Sequence, residues 1–181
     1  MKKMYAVPAF LTSNDIKRVR SLLNMTQKEF ADFVGTSKRT IENWESSKKE
    51  ITGPIVLLLS MIENNLNLIE EIEIPEKKLP LRMFYMHNQE ICTLIDVDDI
   101  NQKVIIKNYT KNIMYKAFGI NENPTYKDYQ EFLKERCFPE TRDKLKLVLE
   151  DLNIPFYDPF LIIKKTEGRM AEDDFWIRIE E

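Results

Sequence analysis

The first seventy-odd residues carry apolar positions at helical spacing, and from Arg82 onward the pattern turns toward alternation. Ile16, Val19, Leu22 and Leu23 predict the buried face of a first helix, capped by Asn14, with Lys17, Arg18 and Arg20 mostly on its other side. Thr26 followed by Glu29 is a capping box, which starts a second helix by satisfying two orphan backbone donors reciprocally. Phe30, Ala31 and Val34 form its apolar stripe. Gly35 stops it, because glycine takes the left-handed conformation that a helix end wants. Ser37 is the next N-cap, and Ile41 with Trp44 supplies the inward face of a third helix. Thr52-Gly53-Pro54 opens a fourth, with Pro54 near the first turn, where its missing N–H does no harm.

That fourth helix is long. Ile55, Leu58, Leu59, Ile62, Leu66 and Ile69 repeat at helical spacing through about residue 72. The surplus apolar half, with Leu68 and Ile72, is open to three readings: a two-fold dimer contact, docking of the C-terminal half, or packing within its own chain. Met1 to Thr12 has no clear period; Tyr5, Val7 and Phe10 are candidates for a packed arm.

Ile74-Pro75-Glu76-Lys77-Lys78-Leu79-Pro80 has two prolines and no period, which predicts a linker over 74–80. Arg82–Met86 and Glu90–Val97 flank a polar turn at 87–89, and Lys103–Tyr109 follows an acidic turn, giving a three-stranded meander. The stretch 112–119 reads as a short helix or irregular segment. Thr125 caps a helix to about Arg136 with Tyr126, Tyr129, Phe132 and Leu133 inward, and a second is expected from Pro139 to Leu152. Asp158-Pro159 opens a short third helix ending near Gly168, and Phe175–Ile179 reads as a last strand. The expected architecture is an α-helical N-terminal domain over 1–73 and a small α+β domain over 81–181.

Composition narrows the class. With 181 residues, 43% hydrophobic and 31% charged, the chain has enough volume for real cores and the profile of a soluble globular protein. No apolar run approaches membrane-spanning length and no signal-peptide pattern opens the sequence, so the cytoplasm is expected, with no membrane partner. The net charge of −3 hides an asymmetry. Residues 1–53 hold ten Lys/Arg against six Asp/Glu, residues 54–80 two against five, and residues 81–181 fifteen against nineteen. A basic head on an acidic body suits a nucleic-acid-binding module joined to one that binds something else.

The third helix carries the candidate chemistry. Lys38, Arg39 and Asn43 lie one, two and six positions past the cap, on the side away from Ile41. Arg or Lys can donate to guanine O6 and N7 in a DNA major groove, and Asn can pair with adenine N6 and N7. Gln27, at the start of the second helix, is placed to hold a phosphate. Lys48 and Lys49, in a polar turn, could touch phosphates or be merely solvated.

These residues resemble the helix-turn-helix of the phage repressor (Cro/C1, or Xre) family: Thr26-Gln27-x-x-Phe30-Ala31, then Gly35-x-Ser37, then Ile41-x-Asn43-Trp44-Glu45. The resemblance implies that Gln27, Lys38, Arg39, Thr40 and Asn43 face DNA while Ala31, Val34 and Ile41 hold the helix pair. The Trp44-Glu45 ending looks like the subgroup found in antitoxin regulators. The candidate DNA-facing set is therefore Gln27, Ser37, Lys38, Arg39, Thr40, Asn43, Lys48 and Lys49. In the C-terminal half, Arg136-Cys-Phe-Pro139-Glu-Thr-Arg142 and Asp174-Phe175-Trp176-Ile177 resemble a small module that precedes the kinase domain in HipA-like toxin proteins. It implies a partner-binding domain rather than a catalytic one.

Other chemistries are set aside. Two cysteines and His87 cannot build an ordinary four-ligand zinc site. Around Asp96, Asp98 and Asp99, the positions that a calcium loop reserves for glycine and a bidentate glutamate hold Asn101 and Lys107. Cys137 and His87 come from unrelated elements with no third group to orient them. With four glycines and neither phosphate-cradle motif, nucleotide binding lacks its usual material. No cofactor, metal or catalytic residue is expected. The expected function is a dimeric, operator-binding autorepressor of antitoxin type on palindromic double-stranded DNA, with 81–181 binding a toxin or another protein. The alternative is an inhibitor or adaptor acting through 81–181, with the helix-turn-helix serving autoregulation.

Overall fold

The computed structural model describes residues 6–180, which fall into two compact units divided between Glu73 and Ile74. Tyr5, one of the three arm candidates, lies outside the described residues; Val7 and Phe10 are exposed.

The first unit is helical: α1 (Ser13–Leu22), α2 (Gln27–Phe33), α3 (Lys38–Ser46), α4 (Pro54–Asn64) and α5 (Asn67–Ile72). Its core gathers Leu11, Ile16, Val19, Phe30, Ala31, Ile41, Ile51, Ile55, Val56, Leu59 and Ile62. Three expectations need correction. The cap of α1 is Thr12, not Asn14: the Asp15 carboxylate accepts both the Thr12 N–H at 2.8 Å and its hydroxyl at 2.7 Å, and Asn14 already lies within the helix. Leu22 is exposed, because the buried stripe of α1 runs through Ile16, Val19, Arg20 and Leu23, and Leu22 sits off it. The long fourth helix is two. Asn65 leaves helical geometry (φ −149°, ψ 76°), and Leu66 and Ile72 are exposed while Ile69 packs on the core. Asn64 bonds locally to the Ser60 carbonyl at 2.7 Å, the kind of competition that makes asparagine a poor helix continuer.

The second unit is an antiparallel sheet of four strands with helices on one face. The strands are β1 (Leu81–His87), β2 (Glu90–Asp98), β3 (Lys103–Asn108) and β4 (Phe175–Glu180), in the order β3-β2-β1-β4. The expected three-stranded meander thus gains a fourth member. β4 pairs with the free edge of β1 in the register Met83↔Ile179, Tyr85↔Ile177 and His87↔Phe175. The helices are α6 (Tyr126–Glu135), α7 (Leu145–Asp151) and α8 (Pro159–Thr166); residues 113–115 form one 3₁₀ turn. α7 begins six residues later than expected from Pro139, because Lys144 takes a left-handed conformation (φ 57°) immediately before it. Met83, Tyr85, Ile95, Val97 and Ile177 on the sheet pack with Tyr129, Phe132, Leu133, Ile162 and Ile163 from the helices.

The stretch 74–80, expected as a linker, has no helix or strand but is held by the sheet. Arg82 donates to Asp96 on the neighbouring strand at 2.6 and 2.8 Å, and also to the carbonyls of Pro75 (2.7 Å) and Glu76 (3.0 Å). Asp96 accepts the Lys78 N–H at 3.1 Å. A buried ion pair whose remaining donors find backbone acceptors is the arrangement that offsets its own desolvation. No helix among the described residues is long and apolar enough to cross a membrane.

Candidate nucleic-acid interface

The geometry of α3 is set by its neighbours on both sides. Thr26 and Glu29 complete the capping box of α2, with Thr26 N–H to Glu29 Oε2 at 2.7 Å and Glu29 N–H to Thr26 Oγ1 at 3.3 Å. Gly35 takes φ 69° just past the end of α2, and the Thr36 N–H donates to the Ala31 carbonyl at 2.8 Å, closing the helix end. Ser37 then accepts the Thr40 N–H at 3.1 Å and starts α3. Ile41 is fully buried and Trp44 half-buried against the same core, so the opposite side of α3 is turned to solvent.

On that side stand Lys38, Arg39 and Asn43, all exposed. Arg39 makes no ion pair among the described residues. Lys38 reaches Glu42 at 3.2 Å, but both side chains are exposed, and such a pair is worth little and gives way readily to a phosphate or a base. Lys48 and Lys49, just beyond α3, are exposed as well.

Three members of the candidate set are committed elsewhere. The Ser37 and Thr40 hydroxyls lie 2.8 Å apart and serve the start of the helix. Gln27 is half-buried, and its amide donates to Glu45 Oε2 at 2.8 Å. One donor of its side chain is therefore spent inside the domain. The physical reason is Glu45 itself, a carboxylate 7% exposed that needs more than one donor.

Arg20 supplies the others. Its Nε lies 2.6 Å from Glu45 Oε1, its Nη2 3.4 Å from Oε2, and its Nη1 donates to the Met25 carbonyl at 2.9 Å. One guanidinium thus ties α1, the α1–α2 connection and α3 together. Burial pushes the Glu45 carboxyl up, but hydrogen bonds from Arg20 and Gln27 outweigh it and hold the group below the usual glutamate range. The helical pattern of α1 puts Arg20 with Lys17 and Arg18, mostly on the side away from the buried face. The signal was present: Arg20 sits four positions after Ile16 and Glu45 four after Ile41, so each charge occupies a core stripe, and the two signs are opposite.

Residues 16–65 match the family model described as Helix-turn-helix. The match is to the helix-turn-helix region alone and leaves the rest of the chain uncovered. Over 55 residues, 30% of this chain, it is 33% identical to the antitoxin HigA-2 of Vibrio cholerae serotype O1. The aligned stretch covers 53% of that protein, so the chain matches about half of its relative's length. The helix-turn-helix residues Thr26–Glu45 all fall within the span matched by the family model.

Proposed function

We propose that the protein is a sequence-specific transcriptional regulator of antitoxin type, acting in the cytoplasm on the operator of its own genes. The observation that carries this reading is the exposed trio Lys38, Arg39 and Asn43 on a helix whose orientation is fixed from behind by Arg20 and Glu45. An oriented helix presenting two cations and one amide has donors for guanine and a donor–acceptor pair for adenine. The basic balance of residues 1–53 adds phosphate attraction, but the excess is small, so affinity should depend on two copies binding together. Dimerisation would place two recognition helices ~34 Å apart on a palindrome. Leu57 and Met61 on α4, 51% and 55% exposed, offer apolar surface for that contact.

The unit from Ile74 onward is assigned binding, not chemistry. Its Cys137 thiol is pushed up to about 12 by burial and donates to the Pro159 carbonyl, which suits a small core residue and not a nucleophile. The relative's designation as an antitoxin supports a toxin as that unit's partner, on the model of a paired gene product. A second reading gives this unit the main role, as inhibitor or adaptor, with the head serving autoregulation; its independent core and separate sheet favour that possibility.

The test is binding of the purified chain to a fragment upstream of its own gene, with copurification of native partners from the same locus. A retarded, salt-sensitive complex together with a neighbouring gene product supports the antitoxin reading. A specific complex with a partner encoded elsewhere favours the inhibitor. Absence of any DNA complex at low salt contradicts both roles of the head.

A further inference from the structure

A second binding feature lies wholly inside the C-terminal unit. A cleft of ≈ 450 Å³ opens between α6 and the start of α8, with Asp99 from the turn after β2 at one end and Lys134 on its wall. Tyr129 is 2% exposed, yet its hydroxyl makes no hydrogen bond among the described residues. Every described side-chain N or O atom that is sealed from solvent has a partner, so the Tyr129 oxygen keeps some solvent access, and Tyr129 is one of the residues that line the cleft. A nearly buried hydroxyl left without a protein partner and facing a cavity asks for a ligand atom.

The groups around it define the chemistry. Asp99 and Asp158 line the same cleft as Tyr129, and burial raises the Tyr129 hydroxyl well above its ordinary range, with the charges of Asp99 and Asp158 adding to the effect. Tyr126 donates to Asp99 Oδ1 at 3.1 Å. Asp158 spends Oδ1 on capping α8, through the Leu161 N–H at 2.8 Å, and Oδ2 carries no hydrogen bond among the described residues. Tyr126, Tyr129 and Phe160 supply aromatic wall, the two tyrosine rings 5.7 Å apart. Two carboxylates against the one lysine, Lys134, a hydroxyl oxygen able to accept, and aromatic faces leave the cleft complementary to an ammonium group.

We propose that this cleft binds a small aliphatic amine in its protonated form. Its nitrogen sits between Asp99 and Asp158 and donates to the Tyr129 hydroxyl oxygen, while its carbon chain lies along the aromatic wall. The carboxylates supply attraction, and Tyr129 supplies the directional contact that a merely acidic surface lacks. The site does not depend on DNA binding by the first unit, and it gives the second unit a means of sensing a metabolite as well as holding a partner.

The test is calorimetric titration of the full chain with putrescine, and with succinate as an anionic control of similar length. Saturable binding of putrescine alone is expected, weakened about tenfold in Tyr129→Phe, which removes one hydrogen bond to a charged donor and keeps the ring that the core needs. Asp99→Asn, at an exposed position, is expected to weaken it as well and keeps the test open if the tyrosine variant misfolds. Binding that both variants leave unchanged would put the amine elsewhere on the acidic surface and overturn the proposal. So would no saturable binding of putrescine up to ~10 mM, or equal binding of succinate.

Discussion

Arg20 and Glu45 stand 25 positions apart in sequence and meet at 2.6 Å inside the helical unit, one from α1 and one from α3. The contact is structural in its atoms and functional in its consequence. It fixes the helix that carries Lys38, Arg39 and Asn43, none of which it touches.

Removing one partner leaves a buried charge without compensation. Glu45→Ala is expected to cost about 3 kcal/mol in chemical denaturation, whereas Arg20→Met combined with Glu45→Leu is expected to cost less than either single change. The pH dependence follows from the depressed Glu45 carboxyl. The stabilisation is complete above the ordinary glutamate range and is lost as pH falls through the lowered value. Wild-type melting temperature should therefore drop on the acid side more steeply than that of Glu45→Gln. Parallel acid profiles would show that the pair does not carry this dependence.

The C-terminal unit has its own latch. Arg136 is buried and donates to the Gly168 carbonyl at 2.7 and 3.1 Å, to Asp173 at 2.6 and 3.1 Å, and to the Phe175 carbonyl at 2.8 Å. Those bonds pin the segment leading into β4. Arg136→Ala orphans two carbonyls and a partly buried carboxylate, and is expected to destabilise this unit by ~3–5 kcal/mol, with amide exchange rising first along β4. The Arg136 hydrogen bond holds Asp173 below the usual aspartate range against the opposing effect of burial, so this contribution too fades only toward strong acid. Protection of β4 unchanged in the variant would contradict the latch.

Two leucine-sized side chains separate the inward face from the outward one. Ile41→Ala opens a cavity in a core position and is expected to cost about 2–5 kcal/mol. Leu22→Ala, at an exposed position of α1, is expected to stay within ~0.5 kcal/mol. Urea midpoints of the two variants check the assignment, and similar losses for both would mean that the faces are wrong.

What the sequence disclosed and what it withheld divide along chain distance. The α2–turn–α3 unit was legible because its signals are local: a box between Thr26 and Glu29, a left-handed Gly35, a cap at Ser37. The outward placement of Lys38, Arg39 and Asn43 followed from helical geometry alone. The Gln27 bond to Glu45 was not legible, because it joins positions eighteen apart. The pairing of β4 with β1 joins Trp176 to Met86, a register that no local pattern encodes. For 74–80 the prolines predict the irregular backbone correctly, but say nothing of Arg82 gathering its carbonyls.

Base contacts and phosphate contacts should separate by their salt response. Arg39→Ala or Asn43→Ala is expected to cost ~1–3 kcal/mol on the specific site and to relax preference at one base pair. Lys48→Ala or Lys49→Ala should instead weaken all sequences alike and lower the salt slope by about one, where the lysine touches a phosphate. Fluorescence anisotropy over a salt series distinguishes the two. Uniform losses for Arg39→Ala would make it a phosphate contact.

Selection of bound fragments from random double-stranded DNA tests the central claim most directly. The chain should enrich a two-fold symmetric motif with half-sites about one helical turn apart, and Arg39→Ala and Asn43→Ala should each lose preference at defined positions within it. Recovery of no motif, or of one that both variants reproduce unchanged, would contradict the assignment of α3 as the helix that reads DNA.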